Sequence, residues 1–207
     1  MTSRPSPIAA SPGIGHNQPP APVSLWHQHM WARARAAQPE RNLPLAVVKM
    51  RKARATELGM TYRDYAGLYR TAGRDPAGLL FTPGALHLRL ARRLEMPEPV
   101  RAHLARVGGC RLLALAPEGE DPADFLEELR AVSALPFAAA APTPSGTAPW
   151  GDLVGAIRAI LDPWCLPGNA IALVGAAASE ARLCASLVTA GRLGGLLDRD
   201  AYFRPAL

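Results

Sequence analysis

Three short, almost wholly apolar runs lie between residues 110 and 207, at Arg111–Ala116, 136–141 and 170–175. Each is separated from the next by a stretch of helical period. Asp121-Pro122 opens one such stretch through Phe125, Leu129 and Val132. A second, Trp150–Leu161, sets Leu153, Val154, Ile157, Ile160 and Leu161 on one stripe, and 179–197 returns to helix with a Gly-rich end, Ser179 reading as its N-cap. Strands that alternate with helices build βαβ units and a parallel sheet. Runs that are apolar throughout suit a sheet covered on both faces. The fold class expected is therefore mixed α/β, with a small parallel-sheet module over 110–207.

Residues 24–107 read as a separate, all-helical module. Ser24 can cap a helix through Trp26, Met30 and Trp31. Pro44 follows Asn42 and opens a second helix, which Gly59 closes. Thr61 caps a third, with Asp64 three residues on in a capping-box-like arrangement, and Gly73 ends it. Asp75-Pro76 and Thr82-Pro83 each read as a cap followed by proline at the first helical position, the second opening a helix to about Leu94. A last helix follows Pro97 or Pro99 and stops at Gly108-Gly109.

Charge divides along the same line. Residues 1–107 hold 16 Lys and Arg against 6 Asp and Glu, and residues 108–207 hold 7 against 11. A basic module is drawn to polyanions: nucleic acid, anionic membrane or acidic protein. The alternative is that the basic and acidic halves pack on each other. Arg outnumbers Lys 21 to 2. Arg suits phosphate recognition, but a GC-rich codon usage would give the same ratio.

Within the basic module the run from Ala55 through Gly59 to Leu68 resembles the core of a helix-turn-helix. That motif asks for a small residue packed between two helices, and Ala55 stands there. Four residues later it asks for Gly at positive φ, which Gly59 supplies. Leu58 and Met60 flank the turn, and Tyr65 and Leu68 continue the apolar pattern. Arg54 departs from it, standing where an apolar residue is usual. The resemblance implies that the third helix enters a groove of DNA. Tyr62, Tyr65, Ala66 and Tyr69 share one face of that helix and are expected in the core. Arg63, Gly67 and Arg70 share another, where Arg reaches phosphates or guanine edges and Gly allows close approach. Lys49, Lys52 and Arg74 are further candidate nucleic-acid contacts, with Arg89, Arg92 and Arg93 behind them.

Residues 1–23 carry six prolines and two glycines among small residues, the composition of a disordered arm. Inside it, Gly13-Ile14-Gly15-His16-Asn17-Gln18-Pro19-Pro20 resembles the GHNxPP arm of a group of bacterial and phage proteins that brings no activity with it. A short string of this kind suits a docking peptide for a protein partner.

Enzyme chemistry lacks its parts. Cys110, Cys165 and Cys184 form no CxxC, which suits a reduced, cytoplasmic chain without disulfides. His27 and His29 are two apart and cannot share a metal ion on a helix. The turn after residues 171–174, Gly175 to Ser179, stands where phosphates bind in doubly wound folds, yet neither GxGxxG nor GxxxxGK[ST] is present. No GxSxG occurs, and no histidine lies beyond His103. No cofactor, metal or catalytic residue is expected, and no run is long enough to span a bilayer.

Overall fold

The computed structural model describes residues 43–90, 94–145 and 148–204. The proline-rich arm, the first expected helix, Arg92 and Arg93 lie outside them.

Two helices come first, α1 (Leu45–Glu57) and α2 (Tyr62–Ala72). The chain then enters β1 (Gly78–Phe81), a short hairpin of β2 (Arg89–Leu90) and β3 (Leu94–Glu95), and α3 (Glu98–Leu104). Next come β4 (Arg111–Ala116), α4 (Pro122–Ser133), β5 (Phe137–Pro142), α5 (Trp150–Leu161), β6 (Ile171–Gly175), α6 (Ala177–Gly191), β7 (Gly195–Asp198) and α7 (Arg199–Tyr202). Five strands form one wholly parallel sheet in the order β5-β4-β1-β6-β7. The mixed α/β class expected from the sequence is thus the class observed.

Alternate residues of the central strands feed two cores, as the strand period of two requires. Leu79, Phe81, Leu112, Ala114, Ala172 and Val174 face one layer, which holds Ala55, Leu58, Tyr65, Leu104, Phe125 and Tyr202. Leu80, Leu113, Leu115, Ile171 and Leu173 face the other, under the Leu153, Ile157 and Ile160 stripe of α5 and Cys184 and Leu187 of α6. Burial on both faces explains why these strands read as unbroken apolar runs. Local signals set the helix ends. Asp121 accepts from the Ala123 and Asp124 amides at 2.8 and 3.1 Å, and Thr61 accepts from the Asp64 amide at 3.2 Å. Gly73 closes α2 at φ 74°.

Four expectations are corrected. Residues 24–107 are not all-helical: Gly78–Phe81 is the central strand, paired with β4 on one side and β6 on the other. The sheet therefore takes strands from both sides of residues 107–110. Thr82-Pro83 does not open a helix to Leu94. The Thr82 hydroxyl accepts from the Ala85 amide at 3.2 Å and caps a single turn, which His87 ends at φ 52°. Gly195–Asp198 is not the tail of a helix but the edge strand β7. Arg192 breaks α6 at φ 49°, and a Cβ on Gly194 would lie 2.8 Å from the Asn169 carbonyl oxygen, a close approach that only glycine allows. Nor is Ser179 the cap of α6: the helix starts at Ala177, two residues earlier.

Candidate functional site

α1 and α2 form a helical hairpin. Gly59 turns the chain at φ 69°, and Ala55, Leu58 and Met60 are buried around the turn. Tyr65, Ala66 and Leu68 point inward, and a Cβ on Gly195 of β7 would lie 2.6 Å from Leu68 Cδ2. The tyrosine face is thus used for packing. Tyr65 and Tyr69 lie with ring centroids 6.1 Å apart, and the Arg51 guanidinium sits 4.3 Å from the Tyr69 centroid.

Arg54, the residue that departs from the motif, ties the hairpin to the body. Its Nε donates to Asp75 at 2.8 Å and its Nη1 to Glu57 at 2.7 Å. Its Nη2 donates to the carbonyls of Pro76 and Gly109 at 3.1 and 3.0 Å. Burial works against the charge, but the two carboxylates outweigh it and hold the guanidinium pKa above its ordinary value. Asp75 also accepts from the Tyr65 hydroxyl at 2.8 Å, so it is a hub rather than a helix cap.

The predicted basic residues divide into three sets. Lys52 and Arg63 line one open groove of about 730 Å³ beside the hairpin turn, joined there by Arg204 from the end of the chain. Arg63, Gly67 and Arg70 line an adjoining shallow groove against β7. A Cβ on Gly67 would meet nothing within 4 Å, so the backbone there is open to approach. Lys49 and Arg74 are exposed and border neither groove. Arg70 Nε donates to the Ala66 carbonyl at 3.4 Å. Among the described residues, none of these cations forms an ion pair. The pairs present are Arg54 with Glu57 and Asp75, Arg101 with Glu98, and Arg199 with Asp200; none joins the basic half to the acidic one. Arg204 was not among the residues picked out from the sequence. Nothing local marks it, because it meets Arg63 only across the folded chain.

A second place has the topology of a ligand site. Strand order reverses between β1 and β6, and in open α/β sheets ligands bind outside the carboxyl ends of the strands at that point. Here the crevice is occupied by Glu180 of α6. Its carboxylate accepts from the Gly84 and Ala176 amides, each at 3.2 Å, and from the Thr82 hydroxyl in a short hydrogen bond. A Cβ on Gly84 would lie 2.8 Å from that carboxylate. Thr82 is fully buried, so its hydroxyl cannot meet a substrate as it stands. The donors that would cradle a phosphate are engaged by the chain's own carboxylate.

Among the described residues no group of three or more His, Cys, Asp and Glu could hold a metal ion, and no helix is long and apolar enough to cross a membrane. Comparison with protein-family models, with curated proteins and with solved structures finds no match.

Proposed function

We propose that this protein binds duplex nucleic acid through the basic face of its α1–α2 hairpin. The observation that carries the reading is that Lys52, Arg63 and Arg204 line one open groove and form no ion pair among the described residues; the single carboxylate lining it, Asp64, accepts from the Thr61 hydroxyl at 2.7 Å. Arg70 extends the same charge along α2, and Gly67 leaves room between the two arginines for a phosphate backbone. Unpaired cations on a rigid helix face attract a polyanion chiefly by releasing its condensed counterions. The acidic residues Glu118, Glu120, Asp121, Asp124 and Glu127 are exposed around the start of α4 and compensate none of these cations. This supports the nucleic-acid reading over one in which the two halves neutralise each other. A switch point filled by Glu180 favours a binding protein over an enzyme.

The test is the salt dependence of binding to a random 20-base-pair duplex, using the full chain. Four phosphate contacts give a slope of log affinity against log salt of about −3 to −4. Replacing Arg63 and Arg70 together by Ala makes that slope shallower by about 2 and weakens binding across all sequences alike. A double variant that binds like the parent ends this reading. An adaptor role, with the arm at residues 13–20 as the docking peptide, then takes its place.

A further inference from the structure

A cavity of about 380 Å³ adjoins the proposed duplex groove beneath the α1–α2 turn, between the turn, the residues at the end of α3, and Tyr202 and Arg204. Its size falls in the range of small-ligand sites, which are mostly apolar with a few placed polar groups. Met60 and Tyr202 give it apolar walls. Tyr202 is held in place by its hydroxyl, which donates to the Leu58 carbonyl at 3.1 Å. The Tyr202 ring packs edge-on against His103, with centroids 4.9 Å apart.

Two cations and one carboxylate line the cavity. Arg106 and Arg204 both line it and neither forms an ion pair among the described residues. The one carboxylate there, Glu57, already accepts from Arg54 at 2.7 Å. The inner wall carries a polar atom with nothing to bond. His103 is only 9% exposed, and its Nε2 has no hydrogen-bond partner among the described residues. Nε2 is closed to solvent against the Gly59 backbone, so His103 seals the inner wall and is not itself a contact for the ligand. The imidazole has room only because residue 59 is glycine: a Cβ there would lie 2.8 Å from Nε2. Burial, with Arg106 beside it, lowers the His103 pKa, the Gly59 backbone acting in the opposite sense.

We infer that this cavity is a binding site for a small organic anion with a flat apolar body, its charge held between Arg106 and Arg204 and its body against Met60 and Tyr202. Met60 and Arg204 line both this cavity and the duplex groove, while His103 and Arg106 line the cavity and not the groove, so a change at Arg106 tests this inference apart from the duplex reading. Either a carboxylate or a phosphate ester supplies the charge, and the test separates them.

The full chain is followed by thermal unfolding with benzoate, with adenosine 5′-monophosphate and with inorganic phosphate. A site-specific readout comes from the ring-proton resonances of His103, assigned by their loss in His103→Gln. Benzoate or the nucleotide at about ten times its Kd raises the melting temperature by about 3–5 °C and shifts the His103 resonances. Arg106→Ala, a change at an exposed position, weakens that binding about tenfold or more, and Arg106→Lys restores part of it. The inference is overturned by any of three results: no probe raises the melting temperature, the rise is unchanged in Arg106→Ala, or inorganic phosphate matches both organic anions.

Discussion

The switch point of the sheet and the outer face of the α1–α2 hairpin are both places where an anion could bind, and they are built in opposite ways. At the switch point the donors are two backbone amides and a buried hydroxyl, and all three are engaged by Glu180. At the hairpin the donors are long cationic side chains, and Lys52, Arg63, Arg70 and Arg204 form no ion pair among the described residues, with Asp64 the one carboxylate lining the same grooves. Topology alone points to the first place, and side-chain chemistry points to the second. A backbone cradle is useful to a ligand only while it is empty, whereas a guanidinium in water keeps its charge available at little cost. In this chain the donors of the first site are engaged within the fold, and the second is the face we propose for recognition.

The comparison rests on α2 being anchored by its tyrosine face, and that anchor is where the largest effect is expected. Tyr65 is buried and its hydroxyl donates to Asp75. Tyr65→Ala should cost about 3–5 kcal/mol, as for other buried large aromatics, seen as a lowered midpoint in urea unfolding. A loss under about 1 kcal/mol would mean that the hairpin is not packed on the sheet through this residue.

Emptying the switch point comes next. Glu180→Ala leaves the Gly84 and Ala176 amides and the Thr82 hydroxyl without their acceptor. A cost of about 2–3 kcal/mol follows from abandoned buried donors. Added inorganic phosphate should then stabilise Glu180→Ala more than the parent, because the cradle has been vacated. Equal stabilisation of both would remove the distinction between a filled and an open site.

On the hairpin the effect should fall on binding and not on folding. Arg63→Ala with Arg70→Ala should shift unfolding by no more than about 0.5 kcal/mol per site, as for exposed positions away from packed features. Duplex affinity should drop about tenfold at moderate salt, which gel-shift titration measures. Loss of folding in this variant would place the two arginines in the structure and close the comparison.

The smallest effect concerns His103. Its folded pKa lies below the ordinary 6.5, chiefly through burial. The unfolded chain therefore takes up the proton first as pH falls. The stability contributed is complete above about 6.5 and is lost as pH drops from there towards the folded value, at no more than about 1.4 kcal/mol per pH unit. In His103→Gln this part of the pH profile should disappear, and a profile identical to the parent would assign it elsewhere.

Much of the architecture was legible in the chain. Gly59, Thr61, Gly73 and Asp121 marked helix ends by local chemistry, and the structure places those ends where the residues stand. β4, β5 and β6 were readable because each apolar run is bounded by turn residues and flanked by strong helical stripes. Of the predicted contacts, Arg63, Gly67 and Arg70 fall on one open strip, since helical spacing dictates shared faces whatever the fold. What the chain concealed was everything defined by a distant partner. Gly78–Phe81 is four residues long, and a short apolar run carries no period that separates strand from helix; it became the centre of the sheet because β4 and β6 supply ladders on both sides. β7 is a strand because β6 offers an edge to it. Arg54 looked like a flaw in a motif, and its acceptors on Asp75, Pro76 and Gly109 appear only once α1 lies against the entrances to β1 and β4. Glu180 reads as an ordinary first-turn carboxylate, and its place at the switch point comes from pairing β1 with β6. Arg204 joins Lys52 and Arg63 for the same reason. Local backbone preferences are written in adjacent residues, but a hydrogen-bond ladder or a shared groove needs two stretches of chain, and only folding decides which two meet.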